Sequence, residues 1–386
     1  MNFELSEQQK LLLNTSRTFM EREIIPIADE LDRQGPLPRD LALSLIKKLI
    51  PLGYLDGPFP REEGGQGLDL VSWGMLMEEL SRAWASLAGI VLIYYGSIRY
   101  LTRFGTEEQK KMFLGDMLSA DRMPCHCYVE PNAGSNLASL ETTALPDGDD
   151  FVINGTKIFV SNGPIADVAW VLAATERSKG TRGTSLLMVD KEISPFSART
   201  LVKLGLNAWP TGELSFEDCR VPRQNLVAME GAGYRETLAF FAVARCVLAA
   251  MSVGIAQAAI DAAINYARER QQFDRPIGSF QLVQGMVYDM LVETEAARLL
   301  TYRGFDLIDK GERVAGDAAM AKAYATEMAV RVTSKAIQIH GGYGLCDNYA
   351  LERYFKDARS MTIPDGTTEI QKLIVGREAL GLSAIA

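Results

Sequence analysis

Positive charge, histidine and paired cysteine are all scarce in this 386-residue chain. Its 40 Lys and Arg against 49 Asp and Glu leave a formal net charge of −9, which argues against general binding to nucleic acid or to an anionic membrane surface. Only two histidines occur, His126 and His340. The five cysteines (Cys125, Cys127, Cys219, Cys246, Cys346) are odd in number and scattered. Reduced, cytoplasmic thiols fit that set better than a disulfide framework. Cys125-His126-Cys127 has no second Cys/His cluster to complete four ligands, so no metal site is expected. Low-complexity tracts and short repeats are missing. So is a charged, then apolar, then small-residue opening; Ser6 and Gln9 stand instead at capping-box spacing. A cytoplasmic location is expected. The apolar run at 87–95 is too short to span a bilayer and reads as a buried helix.

What is present is a globular composition, 47% hydrophobic and 23% charged, with length for two or three domains. Residues 1–120 read as helical, with apolar residues at three and four spacing (Leu12, Phe19, Ile24; Leu41, Leu45, Leu49). From 121 to 225 the texture changes. Asp147-Gly148 and Asn154-Gly155 are hairpin-type turn signals, and short β-type runs fall at 151–153, 158–160, 168–173, 185–189 and 213–216. From 226 to 386 the chain is helical again, Ala-rich over 238–268, 281–310 and 315–339. The layout is α+β in three parts. It has no βαβ alternation and no Gly-x-Gly-x-x-Gly after a strand, which sets aside a Rossmann-type nicotinamide site.

Near the C-terminus stands Ile363-Pro364-Asp365-Gly366-Thr367-Thr368-Glu369-Ile370-Gln371. Asp365 lies on a Gly turn before an apolar-periodic run (Ile370, Leu373, Ile374, Leu380), where a helix N-terminus favours an anion. Its plain reading is an N-cap. Other segments argue for more: Glu130-Pro131-Asn132-Ala133-Gly134-Ser135, Lys157-Ile158-Phe159-Val160-Ser161-Asn162-Gly163, Arg270-Gln271-Gln272-Phe273 with Phe280-Gln281, and Gln338-Ile339-His340-Gly341-Gly342-Tyr343-Gly344.

In this order and at these separations the segments resemble the flavin-dependent acyl-CoA dehydrogenase family over essentially the whole chain. The resemblance implies an N-terminal helical domain, a middle β-barrel or sandwich and a C-terminal four-helix bundle. It also implies FAD bound in an extended pose and completed by a neighbouring subunit, a homotetramer (a dimer of dimers), an acyl-CoA substrate, and electron-transfer flavoprotein as acceptor. By the same resemblance His126, Tyr128 and Val129 line the flavin, and Ser135 contacts cofactor and CoA arm. Phe159 takes the place of a usual Trp against the isoalloxazine, and Ser161 that of a Thr at N5. Arg270, Gln272, Phe280 and Gln281 reach the adjacent subunit's FAD, with Arg270 at the pyrophosphate. Gln338 and Gly342 meet its adenine half, and Thr367 and Glu369 touch the cofactor. Ala242, Arg245 and Gly366 border the substrate. Asp365 stands where most members carry a Glu base.

Departures narrow the expectation. Asp365 is one methylene shorter than Glu, about 1.5 Å of reach, and near-attack geometry is sensitive to such an offset. Ala244-Arg245 offers no carboxylate at a second base position used by some relatives. Pro364 replaces an aromatic, Val129 a Thr, Asn136 an Asp and Asp274 a Gly, while 240–244 (Phe-Phe-Ala-Val-Ala) is unusually apolar. An Asp base is similar to that of the cyclohexane-1-carboxyl-CoA dehydrogenases, so a cyclic acyl-CoA is the leading substrate. Branched or short-chain acyl-CoA, or a nitroalkane oxidase-like activity, are the alternatives.

Overall fold

The computed structural model describes residues 4–384. Helices α1 (Glu7–Phe19), α2 (Ile25–Gln34), α3 (Arg39–Leu49), α4 (Leu70–Phe104), α5 (Glu107–Gln109) and α6 (Gly115–Leu118) come first. Strands β1 (Pro124–Cys127), β2 (Thr143–Asp147), β3 (Asp150–Ser161), β4 (Val168–Ala174), β5 (Thr184–Asp190), β6 (Ser197–Thr200), β7 (Thr211–Pro222) and β8 (Leu226–Val227) follow. Then come α7 (Gly233–Glu269), a small hairpin of β9 (Gln271–Gln272) and β10 (Arg275–Pro276), α8 (Gln281–Asp309), α9 (Ala315–His340), α10 (Leu351–Met361) and α11 (Thr368–Leu380).

The capping box forms as its spacing predicts: Ser6 Oγ accepts from the Gln9 N–H at 3.2 Å, and Gln9 Oε1 accepts from the Ser6 N–H at 3.0 Å. Helix α4 breaks once, at Trp84 (φ −161°, ψ 102°). The break is held by Asp32, whose Oδ1 accepts from Trp84 Nε1 (3.3 Å) and Ser86 Oγ (3.0 Å). The run 87–95 is a buried part of α4, as expected, and a longer apolar stretch lies in α7. An 18-residue window there, mean hydropathy 2.1, is long and apolar enough to cross a membrane, yet 83% of it is buried inside the protein. It is the central core helix, packed against α4, α8 and α9, with α10 and α11 laid on α9.

The strands form one eight-stranded sheet in the order β6-β7-β3-β2-β4-β5-β8, with β1 added parallel to β4. The β4 strand is buried on both faces, which explains its unbroken apolar run. Trp170 and Leu172 join the large helical core, while Ala169 and Val171 join a smaller core within the sheet. The same alternation along β1 sends Cys125 and Cys127 into the sheet core. His126 and Tyr128 go the other way, towards the aromatic rings of α4 and α7.

Asp147-Gly148 does make a hairpin, with Asp147 opposite Asp150 and Gly148 at φ 61°. Asn154-Gly155 does not. Strand β3 runs straight through it, and the glycine sits at a register shift against β7, between Ile153 and Gly155. A Cβ at Gly155 would stand 2.4 Å from Thr142 Oγ1; this glycine serves a bulge and a close approach rather than a turn. A second register shift lies between Lys157 and Val160. There Phe159 takes a positive φ of 56° and is turned 66% into the open.

Candidate active site

Asp365 sits in the short loop between α10 and α11, at φ 53°, followed by Gly366 at φ 96°. Aspartate tolerates the left-handed region better than most side chains. The plain N-cap reading fails, because the cap of α11 is Thr367, whose hydroxyl accepts from the Ile370 N–H at 3.4 Å. The main-chain oxygen of Asp365 accepts from Arg245 Nε (3.1 Å) and Gln371 Nε2 (3.0 Å). No hydrogen bond to its carboxylate is seen among the described residues. Burial raises the carboxyl pKa above the usual aspartate range, against the opposing charges of Arg245 and Lys322. A carboxylate in that state is a stronger base than one in water.

An aromatic recess faces this loop. Tyr128 packs edge-on to Phe241 (5.6 Å) and its hydroxyl lies 2.9 Å from that of Tyr100. Burial pushes the Tyr128 phenol well up, and the Asp365 charge adds to it, which puts the two groups within electrostatic reach. His126 stands edge-on to Phe240 (5.3 Å), with Nε2 3.1 Å from Ser97 Oγ and Nδ1 buried without a partner. Burial lowers its pKa to about 3, so it is a neutral imidazole. Gly96 lets these rings approach α4: a Cβ there would meet His126 Cε1 at 2.3 Å.

The bulge residues join this recess through the main chain. The Ile158 N–H donates to Val129 O (2.9 Å) and Lys157 Nζ to Tyr128 O (3.2 Å), so 128–129 are tied to the strand carrying Phe159 and Ser161. The buried Glu130–Lys157 ion pair (2.7 Å) fixes the same corner. Strand alternation carries His126 away from Cys125 and Cys127, so the three do not converge; among the described residues no group of His, Cys, Asp and Glu is arranged to hold a metal.

A second locus lies at the far end of α9. Arg270, Gln272, Tyr266, His340, Gly342 and Tyr343 line a groove of about 480 Å³. A Cβ at Gly341 or Gly342 would meet nothing within 4 Å, and the Arg270 guanidinium lies over Tyr343 at 5.8 Å. A fixed cation, bare glycine backbone and stacking rings suit a dinucleotide's pyrophosphate and base. Nearby, Phe280 lies under Arg275 (4.2 Å), and Gln281 and Gln338 are exposed.

The sequence-singled residues thus fall into two groups. Asp365 is held by Arg245, His126 and Tyr128 pack against Phe240 and Phe241 next to Ala242 on α7, and Val129 is tied to the strand segment carrying Ser161 and the exposed Phe159, with Gly366, Thr367 and Glu369 leading into α11. Arg270, Gln272 and Gly342 meet in the groove. Ser135 is exposed on the loop before β2. Tyr100, Trp209 and Lys322 lie outside the motifs of the sequence, and Gln371 lies inside one without a role of its own; a lone lysine in the Ala-rich run Ala319-Met320-Ala321-Lys322-Ala323 is the available signal for Lys322.

A partly buried carboxylate with a raised proton affinity beside aromatic rings, inside a helix–sheet–helix frame, has the make-up of a cofactor-dependent oxidoreductase site, in which a side chain can accept a proton while a bound group carries electrons. Comparison with known proteins gives the family. The acyl-CoA dehydrogenase N-terminal, middle and C-terminal domain models match residues 6–121, 125–219 and 231–380. A short-chain-specific acyl-CoA dehydrogenase of Clostridium acetobutylicum is 38% identical over 97% of this chain and 98% of its own length. Subunit CarC of the caffeyl-CoA reductase–Etf complex of Acetobacterium woodii is 35% identical over 96% and 97%. The solved butyryl-CoA dehydrogenase of Megasphaera elsdenii superposes with a TM-score of 0.94 at 32% identity, over 98% of this chain and 100% of that one. The chain belongs to the acyl-CoA dehydrogenase family, and FAD is its cofactor.

Proposed function

We propose that this enzyme oxidises an acyl-CoA thioester to its α,β-enoyl form with Asp365 as the base, and that its acyl group is cyclic, as in cyclohexane-1-carboxyl-CoA. The observation that carries the reading is Asp365 itself. Its main-chain oxygen is tethered, its carboxylate is not, and burial raises its affinity for a proton. FAD, when bound, supplies the acceptor for the β-hydride. Asp365 takes the α-proton, and the apolar rings of Tyr128, Phe240 and Phe241 keep water from competing. The main-chain N–H at 365 is a donor for the thioester oxygen as enolate charge develops. Ala244, beside Arg245, puts no carboxylate at the second base position on α7.

Flat aromatic walls and a base one methylene short both favour a compact ring with a tertiary α-carbon over an extended chain. Assay of the purified enzyme with ferrocenium against a thioester panel tests this. Faster turnover of butyryl- or octanoyl-CoA than of the cyclic ester rejects the cyclic substrate, and oxygen uptake with nitroethane exceeding all of them rejects the thioester reading.

Assembly and electron acceptor follow the same reading. Lys322, at the loop of Asp365, and His340, in the groove, lie 18 residues apart on α9, about 27 Å at 1.5 Å per residue. That separation supports reading the groove as a site for the flavin of a neighbouring subunit. The exposed apolar residues Tyr288, Leu291, Val292 and Leu299 along one side of α8 supply a contact face for a homotetramer. An electron-transfer flavoprotein is the acceptor, as the name of the Acetobacterium relative suggests.

A further inference from the structure

We infer that Lys322 is a positioning residue for Asp365: its ammonium ties the two ends of the 362–366 loop together and sets positive charge behind the carboxylate. The inference rests on the reading of Asp365 as the base. Lys322 is wholly buried on α9 (0% exposed) and donates to Thr362 O at 2.7 Å and to Gly366 O at 2.8 Å. Thr362 ends α10 and Gly366 precedes the cap of α11, so a single side chain spans the loop that carries Asp365. Arg245 and Gln371 take the Asp365 oxygen between them, and Gln371 also donates to Gly366 O (2.8 Å). Three helices therefore hold the loop by its carbonyls, at residues 362, 365 and 366, and none of these donors engages the carboxylate.

A buried ammonium normally needs a carboxylate in hydrogen-bond contact. Lys322 has carbonyls instead, and burial lowers its pKa to about 8. The charged groups around it are Asp365 on the loop, Arg245 on α7, Glu327 on α9 and Glu369 on α11. Those acting on Asp365 are Arg245 and Lys322, with Tyr128 across the recess. Keeping such a lysine out of water is costly. What the loop receives is rigidity at a strained backbone position, together with a field favouring the ionised base.

The test separates field from anchorage. In the FAD-loaded enzyme, exchange of the α-protons of 3-thiabutanoyl-CoA in D2O reports the base alone, because sulfur replaces the β-carbon and no hydride can leave. Lys322→Met removes donors and charge; Lys322→Gln keeps donor capacity without charge. Flavin absorbance and melting temperature establish that each variant is folded. We expect the acid limb of the exchange rate to move up by roughly 0.5–1 pH unit in both, a three- to tenfold loss on the acid side. The plateau should fall in Met more than in Gln, and Lys322→Arg should restore the limb. An acid limb unmoved in both Met and Gln overturns the inference while leaving the base reading intact. Exchange that survives in Asp365→Asn overturns the base reading and this inference with it.

Discussion

Arg245 holds Asp365 by its main-chain oxygen, Nε to O at 3.1 Å, and not by its carboxylate. Arg245 is itself 7% exposed, with its pKa lowered first by burial. In the proposed role a salt bridge would quench the base, whereas a bond to the carbonyl orients the residue and leaves its acid group free to react. Arg245→Lys keeps the charge and loses the rigid donor geometry. We expect kcat on the best thioester to fall about 100-fold, since a displacement near 1 Å at a reacting group has that effect. Flavin content should not change, because none of the groove residues is touched. Steady-state kinetics with ferrocenium and the 450 nm absorbance check both parts.

Asp365→Glu restores the length usual in the family and should exchange one substrate class for another. The added methylene advances the carboxylate by about 1.5 Å, and glutamate is less at ease than aspartate at positive φ. The expected outcome is a kcat/KM for the cyclic ester at least about tenfold lower, with the ratio of butyryl-CoA to cyclic ester rising by a similar factor. A ratio that does not move would mean that base length has no part in selectivity.

Some of this was legible in the chain because its cause is local. Ser6 and Gln9 cap each other across three residues, and Asp147-Gly148 turns between strands that pair at once. Asn154-Gly155 carries the same local signal, but its outcome is decided by partners distant in sequence, Thr142 and β7. The loop before α11 offers two capping side chains, Asp365 and Thr367; packing of the helix selected Thr367 and freed the aspartate. Lys322 is one cation among 40 until the fold buries it. The residues proposed to carry the chemistry stand in short runs of sequence. The residues that aim them act across helices, so only the assembled fold reveals them.

Gly89 and Trp209 form a pair that either substitution should expose. A Cβ on Gly89 would stand 2.4 Å from Trp209 Cε3, while the indole N–H donates to Asn162 Oδ1 at 3.0 Å, one residue beyond Ser161. Gly89→Ala should destabilise the fold by about 1–3 kcal/mol through overpacking. Adding Trp209→Leu should recover part of that loss, giving a coupling energy of about 0.5 kcal/mol or more in a double-mutant cycle. Urea unfolding of the four proteins measures it; strict additivity would show that the ring shifts freely away from the helix.

Asp357 should make stability fall as pH rises towards neutrality. It is buried, with Oδ1 accepting from the Leu206 N–H at 2.6 Å and Oδ2 unpartnered. Burial pushes its pKa up to about 7, against the charges of Arg353 and Lys203 and with that of Asp32. Unfolded aspartate titrates near 3.9, so the folded state binds the proton more tightly between about pH 4 and 7. The stability this group contributes is complete below the unfolded value and lost as pH rises through the folded one. Three pKa units bound the effect at about 4 kcal/mol. Asp357→Asn keeps an oxygen for Leu206 and removes the titration. Its stability advantage over the parent should widen from about pH 4 to about pH 7 and stay level above. Urea unfolding across that range decides the matter: a gap that does not vary with pH would mean that Asp357 is ionised in the fold throughout, held by Lys203 and Arg353.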